Sequence, residues 1–154
     1  MKRFFAVLVL CVLSLAMSEV ASAQFSKLSF GKYGVSSIRP ESLRAVRGTV
    51  WLDVTNPMEG FKVSEITGTV YKHGVPFVYG SASSFHVPLG TSRVSVSGRA
   101  SLSPSASLWD VLALIVFDPE DYSVDLSVRI TSDSGATRVV SKKGMPVREL
   151  LKLV

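Results

Sequence analysis

Alternation of apolar and polar residues with a period of two is the feature that most limits how this chain can fold. It is clearest in residues 49–55, 92–102 and 122–131. Because successive side chains of a strand point to opposite faces of a sheet, each stretch predicts a strand with one face in a core. Further strands are predicted at 28–35, 62–72, 75–80 and 136–142, with a short one near Phe85 and Val87.

Residues that favour turns separate these stretches. Asn56-Pro57 ends the first one, because proline has no backbone N–H to donate to a sheet. His73-Gly74 predicts a tight hairpin, and Asp133-Ser134-Gly135 predicts another turn. About seven short strands at this spacing are typical of an all-β, antiparallel sandwich.

One segment, residues 105–117, breaks the alternation and predicts a helix. Ser103 suits the N-cap and Pro104 the first helical position, and the helix should stop before Asp118-Pro119. Between residues 108 and 117 only Asp110 is polar, so the helix is buried or lies against lipid. It could close the core, or it could be a mobile element that opens for a partner or an apolar ligand. At the C-terminus, the spacing of the apolar residues predicts a closing helical turn over 147–154.

The N-terminus has the three parts of a cleavable signal peptide. Lys2 and Arg3 precede an uncharged stretch over 4–18, and the small residues Ala21 and Ala23 stand at the positions that signal peptidase reads. We therefore expect residues 1–23 to be removed and residues 24–154 to form one domain. The apolar stretch is shorter than the about 20 residues that span a bilayer. The alternative to a cleaved signal peptide is an uncleaved N-terminal anchor. If residues 1–23 are cleaved, we expect no transmembrane span in the remaining chain.

Cleavage would also remove the single cysteine, Cys11. A disulfide, a thiol nucleophile and a thiolate metal site are then excluded. An exported chain without cysteine favours a bacterial envelope, as a periplasmic or secreted protein. Residues 1–23 hold two basic residues and one acidic residue, so their loss lowers the formal charge from +5 to +4. This charge is too small and too scattered to predict binding of nucleic acid.

No pattern in the sequence predicts catalysis, a metal or a cofactor. His73 and His86 lie in or beside predicted turns, and HExxH, CxxC and GxSxG patterns are absent from the sequence. Asp118, Glu120 and Asp121 could bind calcium or act as an acid/base pair, but the ligand spacing of an EF-hand is absent and a solvated connection after the helix is the favoured explanation. We therefore predict a protein that is not an enzyme.

Two groups of residues are candidates for contacts with a partner. The first could contact an apolar ligand or a protein and comprises Phe77, Tyr79, Phe85, Trp109, Leu112 and Val116. Within it, Phe77 and Tyr79 are expected to be exposed. The second could contact an anionic surface and comprises Arg138, Lys142, Lys143 and Arg148. The alternative for the second group is a charged edge strand that discourages aggregation.

A family resemblance runs from about residue 28 to residue 143. It rests on V-W-L-D-V-T-N-P at 50–57, F-K-V at 61–63, I-T-G at 66–68, V-Y-K-H-G at 70–74 and F-H-V-P-L-G-T at 85–91. These motifs resemble the late embryogenesis abundant (LEA) type 2 family, also called the water stress and hypersensitive response (WHy) domain. The resemblance implies an immunoglobulin- or fibronectin III-like β-sandwich with one helix, a link to desiccation and stress protection, and no catalytic residues. Asn56 and Pro57 match as a fold signature, and residues 144–154 do not align.

Three functions are consistent with these features. The first is a protective or structural binding protein of the cell envelope, related to the LEA type 2 family. The second is a carrier or contact module for lipid or another apolar ligand. The third is an interaction subunit of an envelope complex that offers a strand edge to its partner. The partner, protein or lipid, is left open by the sequence.

Overall fold

The computed structural model describes residues 28–107, 109–110 and 118–151. The predicted signal peptide and most of the predicted helix, including Leu112 and Val116, lie outside these residues. The described strands are β1 Ser29–Ser42, β2 Ala45–Asn56, β3 Phe61–Lys72, β4 Val75–Ala82, β5 Phe85–Val87, β6 Gly90–Leu102, β7 Tyr122–Ser132 and β8 Thr137–Pro146. A 3-10 turn at Pro119–Asp121 precedes β7, and the short helix α1, Val147–Leu151, follows β8.

All eight strands belong to one antiparallel sheet with the order β1-β2-β6-β4-β3-β7-β8, and β5 pairs with β3 off this path. Strand β4 pairs with β6 on one side and with β3 on the other. The buried side chains of β2 and β6 share one core cluster with those of β3 and β7. The sheet must therefore fold over on itself, with β1 and β8 at its free edges. The prediction of an all-β, antiparallel sandwich is confirmed.

The core is built from the alternation seen in the sequence. In β2, Val50, Leu52 and Val54 are buried while the residues between them face outward. Strand β7 alternates in the same way from Tyr122 to Ile130. Burial of each such aliphatic side chain stabilises the fold by about 1.5–3 kcal/mol. A register slip of one residue would move a whole apolar set to solvent, so the core fixes how the strands pair.

The connections explain two of the predicted turns. Asn56 is 1% exposed; its side-chain oxygen accepts a hydrogen bond from the Met58 amide, and its side-chain amide donates to the Glu59 carbonyl, both at 3.0 Å. The predicted end of the strand at Asn56-Pro57 is confirmed. His73 and Gly74 have φ angles of 50° and 77°, which is the left-handed geometry that a tight hairpin needs. The hairpin between β3 and β4 is confirmed as well.

The predicted N-cap of the helix is wrong. Ser103 still belongs to the sheet region, because its amide donates to the Phe77 carbonyl at 2.9 Å. The cap lies at Ser107, whose hydroxyl accepts from the Asp110 amide at 3.2 Å while the Asp110 carboxylate accepts from the Ser107 amide at 2.8 Å. This reciprocal pair is a capping box, and of residues 105–110 only Trp109 and Asp110 are described as helical. The hydrogen bonds from Ser107 also lower the pKa of Asp110.

Candidate anion-binding site

The aromatic candidates from the sequence do not form one surface. Phe77 is 3% exposed and lies in the core with its ring 5.9 Å from that of Tyr122, so the expectation that it is exposed is wrong. An extra residue shifts the register between β3 and β4 here and turns its side chain inward. Phe85 is also buried, opposite Val63. Tyr79 and Trp109 are 43% and 79% exposed, and their role in partner binding stays a prediction.

The basic C-terminal residues are divided between two elements. Arg138, Lys142 and Lys143 lie on β8, at a free edge of the sheet. Arg148 lies on α1 and donates from Nη1 to Glu120 Oε1 at 2.7 Å. An edge strand rich in basic residues resists pairing with other chains. Contact of this group with an anionic surface stays a prediction.

The two histidines lie near different carboxylates, and one of these carboxylates belongs to the acidic cluster. His86 Nε2 lies 2.8 Å from Asp133 Oδ1, and His73 Nε2 lies 3.7 Å from Asp121 Oδ1. Asp118 accepts from the Glu120 amide at 3.0 Å and so caps the 3-10 turn. Within the described residues, no three histidine, cysteine or acidic side chains come together as a metal site would require.

The register of the sheet brings three arginines together on its outer face. Arg39 of β1 lies directly opposite Arg47 of β2, which lies directly opposite Arg99 of β6. Neighbouring strands are about 4.7–4.9 Å apart, and like charges placed opposite each other destabilise a sheet. We call these three residues the arginine row. A bound anion would offset the repulsion within the row.

One carboxylate, that of Glu41, is bound by two members of the row. Arg47 Nε donates to Glu41 Oε1 at 2.9 Å, and Arg99 Nε donates to the other oxygen, Oε2. These hydrogen bonds lower the pKa of Glu41, and the one from Arg47 has the largest effect. Both arginines contact Glu41 through Nε, so their terminal amino groups are not used in these two hydrogen bonds. Arg39 makes no hydrogen bond or ion pair within the part of the chain that the structure describes.

The arginine row lines a cleft of about 540 Å³ on the outer face of β1, β2, β6 and β4. The cleft floor includes Gly48 and Gly98, which pair directly and have no side chains. Five hydroxyl side chains complete its polar lining: Ser37, Thr49, Ser81, Ser83 and Ser97. Guanidinium groups only donate hydrogen bonds, whereas hydroxyls donate and accept. The cleft is therefore suited to an anion that also carries hydroxyl groups.

A second cluster, with a single arginine, lies on the same outer face, further along β2 and β6. Arg93 donates to Asp53 with two hydrogen bonds, Nε–Oδ1 at 2.7 Å and Nη2–Oδ2 at 3.0 Å. Its guanidinium also lies 3.8 Å from the ring centroid of Trp51. Gly34 lies beneath this ring: a Cβ there would be 2.7 Å from Trp51 Cζ2. This set, which we call the tryptophan cluster, has its charges paired.

Comparison with known proteins gives a limited result. No family model matches the chain, and no curated protein matches it significantly. Among solved structures, a protein from Archaeoglobus fulgidus is 18% identical, with 74% of this chain and 93% of that chain covered and a TM-score of 0.41. The GAE domain of yeast GGA1 is 7% identical, with 76% and 90% covered and a TM-score of 0.33. The GAE domain of GGA2p from Saccharomyces cerevisiae is 10% identical, with 75% and 94% covered and a TM-score of 0.28. Likenesses at this level do not bear on function.

Among the described residues, no helix combines the length and the apolar character that crossing a bilayer requires.

Proposed function

We propose that the chain is an exported, non-enzymatic binding domain that holds an anionic ligand in the cell envelope. The observation that carries the proposal is the arginine row inside a polar cleft. The row has three guanidinium groups and one carboxylate, Glu41, which binds Arg47 and Arg99, so the row keeps an excess of two positive charges. The resemblance to the LEA type 2 family supports a protective or structural role for such a domain.

The side chains of the cleft suit binding better than catalysis. Arginine stays protonated at any physiological pH and cannot accept a proton. Glu41 is the carboxylate beside the row, and its lowered pKa makes it a weak general base. The serine and threonine hydroxyls of the lining are therefore hydrogen-bonding groups rather than activated nucleophiles.

The expected affinity is modest and sensitive to salt. An exposed ion pair stabilises a complex by only about 0.2–1 kcal/mol, so several pairs must act together. At physiological ionic strength, charges more than about 8 Å apart are largely screened. The domain should therefore bind best when a ligand contacts the whole row.

A titration followed by NMR tests the proposal. Sodium galacturonate is added to the 15N-labelled mature domain, with sodium chloride at equal ionic strength as the reference. We expect specific shifts at the arginine row and none at Arg129, an exposed arginine that pairs with Glu65 at 3.0 Å in the other layer. A variant with Arg39, Arg47 and Arg99 all changed to glutamine should lose the shifts, whereas Arg129→Gln should keep them. Equal shifts in both variants would refute an anion site at the row.

The export part of the proposal has its own test. The protein is isolated from the envelope fraction of its source cells, and its N-terminus is determined by mass spectrometry. A mature chain that starts at Gln24 is expected from the signal-peptide pattern. Recovery of a chain that keeps residues 1–23 in the cytoplasmic fraction would contradict it. A deletion strain that survives drying and osmotic shock as well as its parent would speak against the protective role.

A further inference from the structure

We infer that the ligand of the cleft is an anionic polysaccharide that lies across strands β1, β2 and β6. This inference rests on the proposed anion-binding function and names its ligand class. The arginine row crosses three adjacent strands, so its two outer members start about 10 Å apart along the sheet. An elongated ligand with a charge at each repeat matches such a row.

Glu41 makes a single small anion a poor match. Its carboxylate already takes the Nε groups of Arg47 and Arg99, which is the point where a small anion would contact both. A ligand must instead meet the outer edges of the guanidinium groups, one charged group per arginine. Because the guanidinium edge matches a planar carboxylate or a sulfate with paired hydrogen bonds, acidic sugar units suit these edges.

The rest of the lining indicates a sugar rather than another polyanion. Next to the arginine row, Ser37, Thr49 and Ser97 form a second row in the same register. The Thr49 and Ser97 hydroxyls lie 2.9 Å apart, and both can hydrogen-bond to ligand hydroxyls. Proteins that bind single-stranded nucleic acid stack its bases on aromatic side chains, and none of the described residues that line this cleft is aromatic.

The neighbouring Trp51 is not available to stack on a nucleic-acid base. Trp51 lies on the same face, but the Arg93 guanidinium covers its ring at 3.8 Å from the centroid, and the backbone of Gly34 packs closely against the ring. Among the residues that the structure describes, Ala82 is the largest apolar side chain of the lining, so these residues form no apolar wall for an acyl chain. A sugar polymer with carboxylate or sulfate groups uses both the guanidinium and the hydroxyl groups that the cleft presents.

Calorimetry with galacturonate oligomers of defined length tests the inference. The mature domain is titrated with monomer, dimer, trimer and hexamer at constant low ionic strength, with a neutral cello-oligosaccharide and single-stranded DNA of equal charge as comparisons. We expect affinity to rise steeply from monomer to trimer and then to level off. The neutral oligomer should not bind, and the DNA should bind more weakly than the trimer.

Matched variants locate the binding. Changing all three residues of the arginine row to glutamine should weaken binding of the trimer about tenfold or more. Arg129→Gln removes one positive charge elsewhere, as Arg39→Gln does within the row, and should change affinity less than twofold. Arg39→Gln alone serves as a second variant with minimal risk to folding, because Arg39 has no polar contact in the described residues. Circular dichroism confirms that each variant is folded.

The outcomes separate the inference from the function on which it rests. Equal affinity for monomer and trimer, lost in the triple variant, would overturn the extended ligand and keep the anion site. Equal binding of DNA and trimer would overturn the sugar assignment. Binding of no anion at all, or binding unchanged in the triple variant, would overturn both.

Discussion

The tryptophan cluster and the arginine row lie on the same outer face but differ in how many of their positive charges are paired. The first is a structural contact, and the second is the proposed binding site. In the tryptophan cluster, Arg93 has a carboxylate on its edge and an indole beneath its plane. In the arginine row, one carboxylate binds two of the three guanidinium groups, and Arg39 has no carboxylate partner among the described residues. Both include residues of β2 and β6, so strand type and exposure do not explain the difference. The two clusters differ in the number of their charges that are paired.

The largest effect should come from breaking the tryptophan cluster. Trp51→Ala removes the ring that covers Gly34 and carries Arg93. We expect a loss of about 2 kcal/mol in the free energy of unfolding, measured by urea denaturation. Trp109→Ala is the matched control, since this side chain is 79% exposed. Similar losses in the two variants would show that the Trp51 ring contributes no more than an exposed one.

Removal of the shared carboxylate should have the next largest effect. Glu41→Gln leaves three arginines in register without a partner, so the melting temperature at low salt should fall. A small anion such as acetate can then take the place of the carboxylate and should restore it. Asp53→Asn is the comparison, because Arg93 there has no arginine neighbour in register. Acetate that rescues neither variant, or rescues both equally, would contradict the distinction between the clusters.

Acid should weaken both clusters through their carboxylates. Arginine hydrogen bonds hold the pKa of Glu41 below its ordinary value of 4.5 and the pKa of Asp53 below its ordinary value of 3.8. A carboxyl group with a lowered pKa in the folded state stabilises the protein above its unfolded pKa and loses that contribution as pH falls through the folded pKa. Melting temperatures measured from pH 6 downward should therefore fall less steeply in Glu41→Gln than in the wild type. Parallel curves would contradict this.

The smallest effect on stability should follow from Arg39→Gln. The substitution removes one like charge from the row, so unfolding free energy should change by less than about 0.5 kcal/mol and in the stabilising direction. The same variant should bind the galacturonate trimer more weakly. This split between stability and affinity is measured by urea denaturation and calorimetry on one sample. A clear loss of stability would assign Arg39 a structural role instead.

The sequence predicted the sheet well because the period-two alternation is a local signal. The strands around Val50, Val94 and Val124, the turn at Asn56 and the hairpin at His73 all follow from residues within a few positions of one another. The N-cap was misplaced because Ser103 and Ser107 both suit a cap locally. What decides between them is the hydrogen bond from Ser103 to the Phe77 carbonyl, which is a contact between distant parts of the chain.

The arginine row was not predicted, for a similar reason. Alternation shows that Arg47 and Arg99 face away from the core, but it does not show that they are neighbours. Their pairing depends on the register between β2 and β6, and Arg39 joins them only because β1 pairs with β2. The row could have been found by testing the possible registers between predicted strands for outward-facing arginines that lie opposite one another. In a charge count along the chain, the same residues look scattered.

Strand β4 has a consequence for how the domain unfolds. It is hydrogen-bonded to β6 of one layer and to β3 of the other, so the two layers share a strand. Separating the layers would break ladder hydrogen bonds as well as the apolar core, and neither layer is complete without β4. Local opening of one layer alone is thereby disfavoured, and the domain should unfold as a single cooperative unit. A cleft on its outer face would then keep its shape until the whole molecule unfolds.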